Sequence, residues 1–354
     1  MSSSTKRHAL GIVGLGLLVA AAGSQITVTG QQSAALAIKE IGSMHVGGGN
    51  VSVTGAAMPT TAPAGRGSVP YDPNGDYEAG QMYVQYVKLA APRAKYPLLL
   101  VHGGGLTGVT WETKPDGGPG WQMFFLKAGH DVYIGDAMER GRASWARYPE
   151  IYKGPPTMVI KKIAWETFRI GPFGSYQTDP AKRTALPGVL FPTAYFDQFA
   201  KQMVPMWGSN GPDIQKAYDA LVQKICPCVI VVHSQGGNFG FNMVRHAPDK
   251  VKALVALEPS GSPDPAKVDL KPVKNVPTLV VWADFLEGYE RWLEIRTNIS
   301  KYEDALRAAG AVVDHVDLPK TGIKGNSHMM MMDRNSDQVA GVVQKWFEKQ
   351  GLMK

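Results

Sequence analysis

The run Val229-Ile230-Val231-Val232 passes directly into His233-Ser234-Gln235-Gly236-Gly237, and this junction constrains the chain more than any other stretch. Four consecutive β-branched residues that end in small residues mark a strand buried on both faces. A strand that stops on a serine with two glycines behind it leaves room for the next helix to fold back, so that the serine stands at the bend. Ser234 is therefore the candidate nucleophile. The G-x-S-x-G form is incomplete, because Val232 occupies its first glycine position, and the case needs support from the rest of the chain.

That support begins with the alternation of elements. Pro97–Val101, Asp131–Gly135, Val251–Leu257 and Pro277–Trp282 are short apolar runs, and Ala311–Leu318 reads as a last strand. Helices are expected at Gly120–Ala128, Pro212–Ile225, Gly237–Ala247, Gly288–Ala309 and Asp337–Lys349. Strand and helix in turn predict an α/β fold with a mostly parallel central sheet flanked by helices. Ahead of it, Ala37–Met44 and Asn50–Thr54 flank Gly47-Gly48-Gly49 and read as an N-terminal β-hairpin with a glycine turn. Residues 56–80 read as a loop leading to a strand at Gln81–Leu89.

Between about 145 and 211, proline, glycine and aromatic residues crowd out long periodic segments, which predicts a helical cap insertion. Its Trp165, Phe168, Phe173, Tyr176, Phe191, Tyr195, Phe196, Met203, Met206 and Trp207 are expected mostly to form the insertion's own core, with about three or four facing a ligand.

Composition fixes the address and removes some classes of partner. Lys6, Arg7 and His8 precede an apolar run from Ala9 to Ala22 that ends in small residues, the layout of a cleaved signal peptide over residues 1–23. The run is shorter than the roughly 20 residues a spanning helix needs, so no stable membrane span is expected after cleavage. A secreted or periplasmic protein follows, with residues 24–354 as one catalytic domain. Losing the leader removes two basic residues and leaves a net charge of +5. Basic residues are scattered among acids, which argues against nucleic acid as a partner. In an oxidising compartment Cys226 and Cys228 could pair or stay as two thiols; the ring would be too short to add much stability by loop closure. No histidine or further cysteine lies near them at ligand spacing, so no metal is expected there.

A serine hydroxyl needs a base to take its proton and a third group to orient that base. Of the eight histidines, His8 leaves with the leader, and His45, His102, His130 and His233 precede the nucleophile. His246 lies in the helix behind it and His315 inside the last strand. His328, in a loop after that strand, is the candidate base. Two carboxylates end strands: Glu258, followed by the stiffening Pro259, and Asp284, whose position alone is the more favourable. Both stay open on the residues. Upstream, a buried strand ends in His102-Gly103-Gly104-Gly105. Glycines there let backbone N–H groups approach a developing oxyanion, with Gly104 (alternatively Gly105) giving one donor and Gln235 the other.

These residues carry a resemblance. His102-Gly103 with Leu106-Thr107-Gly108, Thr110-Trp111-Glu112-Thr113, Pro115-Asp116-Gly117, Gly141-Arg142, His233-Ser234-Gln235, Glu258-Pro259, Gly325–Met331 and Asp333-Arg334-Asn335 extend over most of the chain after residue 70. In them the chain resembles secreted bacterial esterases of the α/β-hydrolase fold. The resemblance implies a Ser234–His328–Glu258 triad and an uncharged, fairly apolar carboxylic ester as substrate, with no cofactor. A lactonase or other acyl hydrolase with the same triad is the near alternative, and a non-catalytic ligand-binding homologue is the rival of another class. Homo-oligomerisation is left open. Gly104 and Gly105 replace two adjacent cysteines of the pattern, which implies a more mobile oxyanion loop.

Overall fold

The computed structural model describes Met1, residues 35–58 and residues 71–354. The expected leader lies outside the described residues, as does the middle of the expected 56–80 loop. The described residues contain eight strands: β1 Ile38–Val53, β2 Gly75–Leu89, β3 Leu98–Val101, β4 Val132–Asp136, β5 Cys228–His233, β6 Val251–Leu257, β7 Thr278–Trp282 and β8 Val313–Asp317. They form one sheet in the order β1-β2-β4-β3-β5-β6-β7-β8. Strands β3 to β8 run parallel, whereas β1 and β2 pair antiparallel with each other and β2 pairs antiparallel with β4.

The continuous apolar runs behave as parallel strands covered on both faces do. Every residue of β3, β4, β5 and β7 is buried. Side chains alternate between two cores: Leu99, Val101, Ile230 and Val232 face one, and Leu98, Leu100, Val229 and Val231 the other. Among the described residues, eight α-helices accompany the sheet. Those adjoining it are α2 Trp121–Ala128, α5 Gly211–Ile225, α6 Gly236–His246, α7 Glu290–Ala308 and α8 Ser336–Lys349; α1 Val109–Glu112, α3 Lys161–Thr167 and α4 Phe196–Ala200 are short. Residues of α5, α6 and α7 fill the first core, and those of α2 and α8 the second. Among the described residues, no helix is long and apolar enough to cross a membrane.

The N-terminal hairpin differs from the expectation in where it turns. Its arms are β1 and β2, and Gly47-Gly48-Gly49 lies within β1, paired along its length with β2. The glycines serve a kink. Gly47 and Gly48 take φ of 72° and 79°, opposite Gly80 at 86°. A Cβ on Gly48 would sit 2.7 Å from the Gln81 amide nitrogen, and one on Gly47 would sit 3.2 Å from Ala217 Cα in α5. Glycine therefore marks where the long ribbon bends over a helix, a use that composition cannot distinguish from a turn. Strand β2 also starts at Gly75, earlier than expected.

The 145–211 stretch contains α3, α4 and several short turns of tighter helix, with much irregular backbone between them. Trp165, Phe191, Phe196 and Phe199 are buried against one another, with Trp165 and Phe196 rings 4.9 Å apart, while Phe173 and Tyr195 are exposed. Cys226 and Cys228 form a disulfide across Pro227, the one of the two open states that the structure contains.

Candidate active site

Sheet order decides where the site lies. Strand β3 pairs with β4 on one side and β5 on the other, so the chain reverses its direction of winding between β3 and β5. The loops leaving those two strands diverge at their carboxyl ends and leave a crevice, the usual ligand position in such sheets. Here that crevice is bordered by His102–Gly105 on one side and Ser234 on the other.

Ser234 has φ of 53°, a left-handed conformation that is strained for a residue with a Cβ. Three backbone hydrogen bonds hold it there. Its N–H donates to the Leu257 carbonyl at 3.0 Å, and its own carbonyl accepts from Gly237 and Ser260, both at 2.9 Å. The glycines are required by contact as well. A Cβ on Gly237 would lie 2.3 Å from Pro259 Cβ, one on Gly236 2.9 Å from the His102 carbonyl oxygen, and one on Gly103 3.0 Å from Ser234 Cβ. Val232, at the position where the common pattern has glycine, is buried in the first core, so this elbow has its small residues only behind the serine and across the crevice.

His328 is buried, and its Nδ1 lies 2.5 Å from Glu258 Oε2. Because Nδ1 faces a carboxylate it carries the proton, which leaves Nε2 as the acceptor. Among the described residues, that nitrogen has no hydrogen-bond partner. A Ser234 Oγ–His328 Nε2 hydrogen bond is not formed in the free chain, in which such contacts are often long before substrate binds. The two residues are nonetheless joined through His233, whose ring centroid is 4.5 Å from that of His328 and whose Nε2–H donates to the His328 carbonyl at 2.9 Å. Phe168 and Trp292 pack on the His328 ring at centroid distances of 5.3 and 4.3 Å.

Glu258, at φ of 41°, is fully buried. Burial pushes its carboxyl up, but the charge of Arg169 and the bond from His328 outweigh burial and hold it at about 2. Arg169 Nη2 lies 2.5 and 2.6 Å from the two carboxylate oxygens, and the Ala283 N–H donates to Oε1 at 2.9 Å. Asp284 makes no hydrogen bond to His328. Its Oδ1 accepts from Phe285 N and its Oδ2 from Gly325 N at 3.0 Å, so it fixes the start of the loop that carries the histidine.

The glycine loop is pinned through its carbonyls. Gly103 O accepts from His102 Nδ1 at 2.8 Å and from Arg140 Nη1 at 3.2 Å, and Gly105 O accepts from Val204 N at 2.9 Å. Neither the Gly104 nor the Gln235 N–H is taken by a backbone carbonyl of a described residue. Gln235 sits at the start of α6, where the helix dipole favours negative charge. Gly105 is the odd one of the three, with φ of 66° and Val159 where its Cβ would be. Among the described residues, no three His, Cys, Asp or Glu side chains group as a metal site.

Comparison with known proteins fits this geometry. A probable secreted lipase, phiG, from Fungal sp. (strain ATCC 74256) is 30% identical and is covered over 88% of its length by 78% of this chain. The chain belongs to this esterase and lipase family of α/β-hydrolases. A solved bacterial esterase described as novel is 34% identical, with a TM-score of 0.77 over 90% of this chain and 98% of its own. No protein-family model matches the sequence.

Three residues of this α/β-hydrolase site were not singled out from its sequence. Arg169 and Arg140 contact residues 89 and 95 positions away, Glu258 and Gln235 respectively, and no local pattern marks such partners. Asp333 is the third: buried, it accepts from Ser327 N and Ser327 Oγ at 2.8 Å and from Asn326 Nδ2 at 3.0 Å, and so ties the histidine loop to itself. Its place in Asp333-Arg334-Asn335, close behind His328, was the available signal.

The electrostatics of His328 predict a pH profile. Burial lowers its pKa below the ordinary histidine value of 6.5, and the Glu258 hydrogen bond and charge reverse this only in part. A base with a lowered pKa stays neutral to lower pH, so kcat/KM should be level near pH 7 and fall on the acid side with a midpoint below 6.5. A midpoint above 7 in a pH–rate series would contradict this assignment.

Proposed function

We propose that the chain is an exported serine carboxylesterase that acts through an acyl-enzyme on Ser234. His328 Nε2 takes the Oγ proton as Oγ bonds to the ester carbonyl carbon, and the carbonyl electron pair moves onto oxygen between the Gly104 and Gln235 amides. The pair returns, the bond to the alcohol oxygen breaks, and His328 gives that oxygen its proton. Water then repeats the sequence: His328 takes its proton, the new oxygen bonds to the acyl carbon, and Ser234 leaves and regains its hydrogen. Glu258 stays ionised throughout and stabilises the imidazolium.

The observation that carries this reading is the buried Glu258–His328 contact of 2.5 Å, with Nε2 left unpaired and the His328 ring stacked on His233, the residue before the strained Ser234. A binding protein has no need of an oriented, unpaired base at the price of a buried carboxylate. An uncharged, apolar ester suits the surroundings: Phe168 and Trp292 flank the base, Val159 borders the glycine loop, and the Arg169 charge is spent on Glu258.

Export rests on the layout of residues 1–23 and on the kinship with a secreted lipase. Both parts are tested by assaying p-nitrophenyl esters of rising acyl length, with a few lactones, in the medium, the periplasm and the cytoplasm of producing cells. Activity outside the cytoplasm with an optimum at some acyl length is expected. Lactone turnover exceeding that of every ester would change the substrate class, and activity confined to the cytoplasm would remove the export reading.

A further inference from the structure

We propose that Arg140 is the positioning residue of the oxyanion hole, clamping both of its donors with one guanidinium. The inference rests on the reading that the Gly104 and Gln235 amides are those donors. Arg140 lies in the loop after β4 and is almost wholly buried, with 2% of its surface exposed. Its Nη1 donates to Gly103 O at 3.2 Å and its Nη2 to Gln235 Oε1 at 2.8 Å.

Gly103 C=O and Gly104 N–H belong to one planar peptide unit and point in opposite directions. Holding that oxygen therefore aims the N–H. The same oxygen receives the Nδ1–H of His102, whose Nε2 is committed to accepting from Ala137 N at 3.0 Å, so the tautomer is set. At the other end, the Gln235 side chain is held while its backbone N–H heads α6. A rigid, planar fork thus spans the two walls of the crevice, one from the β3 loop and one from the β5 loop. Gly103, Gly104 and Gly105 have no side chains with which to anchor themselves, and the anchor comes from the adjacent loop after β4.

Charge points the same way. The nearest carboxylate is Glu139, with Oε1 3.8 Å from Arg140 Nε, and Nε has no hydrogen-bond partner. Glu139 is occupied elsewhere, accepting from Trp207 N at 2.9 Å and Asn210 Nδ2 at 2.6 Å. A buried cation so loosely paired is costly to the resting chain. Behind the peptide whose N–H faces the developing oxyanion, it adds a positive field that favours the transition state over the ground state.

The test is Arg140→Met, which keeps the stem and removes the fork. With p-nitrophenyl butyrate, kcat should fall on the order of 10²-fold with KM within about twofold. The inhibition constant of a trifluoromethyl ketone, which forms a tetrahedral oxyanion on the serine, should rise by the same factor. Added ethylguanidinium should restore part of kcat to Arg140→Gly, a response that a merely structural residue would not give. Unchanged kcat, or a loss carried wholly by KM, overturns the proposal. Should neither Arg140 variant fold, Gln235→Met removes the Oε1 partner and keeps the amide. It should lower kcat at constant KM, and a wild-type kcat there overturns the proposal equally. Turnover surviving in Ser234→Ala would instead sink the acyl-enzyme reading, so the two failures are told apart.

Discussion

Ser234→Ala should remove ester turnover on the order of 10⁵- to 10⁶-fold while leaving the fold intact. The expectation comes from the geometry of the elbow. The conformation of Ser234 is maintained by its backbone, through Leu257 O, Gly237 N and Ser260 N, and by glycines that leave space around it. None of those contacts involves Oγ. Deleting one oxygen therefore removes the nucleophile and leaves the hydrogen bonds that shape the turn. Labelling by a fluorophosphonate measures the same thing without a substrate. The wild type should label at Ser234, the alanine variant should not, and His328→Ala should lose most of the label because nothing takes the proton. Labelling of Ser234→Ala at a rate near wild type would mean that the nucleophile lies elsewhere.

Glu258→Gln should be the second most damaging change, costing about 10⁴-fold in kcat, with Asp284→Asn costing no more than about tenfold. Both changes replace a carboxylate by its isosteric amide, so the difference reports role and not size. An amide at 258 can present N–H groups to His328 Nδ1, which favours the tautomer with the proton on the nitrogen that should accept from serine. It also leaves the Arg169 guanidinium, which is fully buried, without its counter-charge. Breaking a buried pair from one side costs about 3–5 kcal/mol, so the variant should also melt at a lower temperature. Asp284 by contrast accepts two backbone N–H groups at the edge of the loop, and an asparagine oxygen can keep one of them. Comparing kcat at saturating ester for the two variants decides the matter; equal losses would mean that loop placement matters as much as the direct contact.

Much of this arrangement was legible in the sequence because it depends on local order. Strands β3 to β7 read as short, largely apolar runs, and β6 is found at the expected Val251–Leu257. The candidate nucleophile, base, acids and glycine loop all sit at strand ends, where an α/β sheet must put its loops. Asp284 and Glu258 could not be separated on the residues because both end strands, and the difference lies in which side chain turns toward His328. The glycine tract of β1 misled for the converse reason. Positive φ is needed at a kink and at a turn alike, and only the pairing with β2 distinguishes them. Arg140 and Arg169 were illegible, since each reaches a partner that the fold, not the sequence, brings near.

Arg169 belongs to the stretch that covers the sheet, yet it neutralises a carboxylate at the end of a core strand, and the neighbouring Phe168 carbonyl accepts the His328 N–H at 2.9 Å. The covering segment and the reaction centre are therefore not separable modules. A chimaera that exchanged residues 145–211 for another protein's segment would in the same cut orphan Glu258. Any graft into this segment has to keep the staple at 168 and 169, which holds the segment to Glu258 and His328.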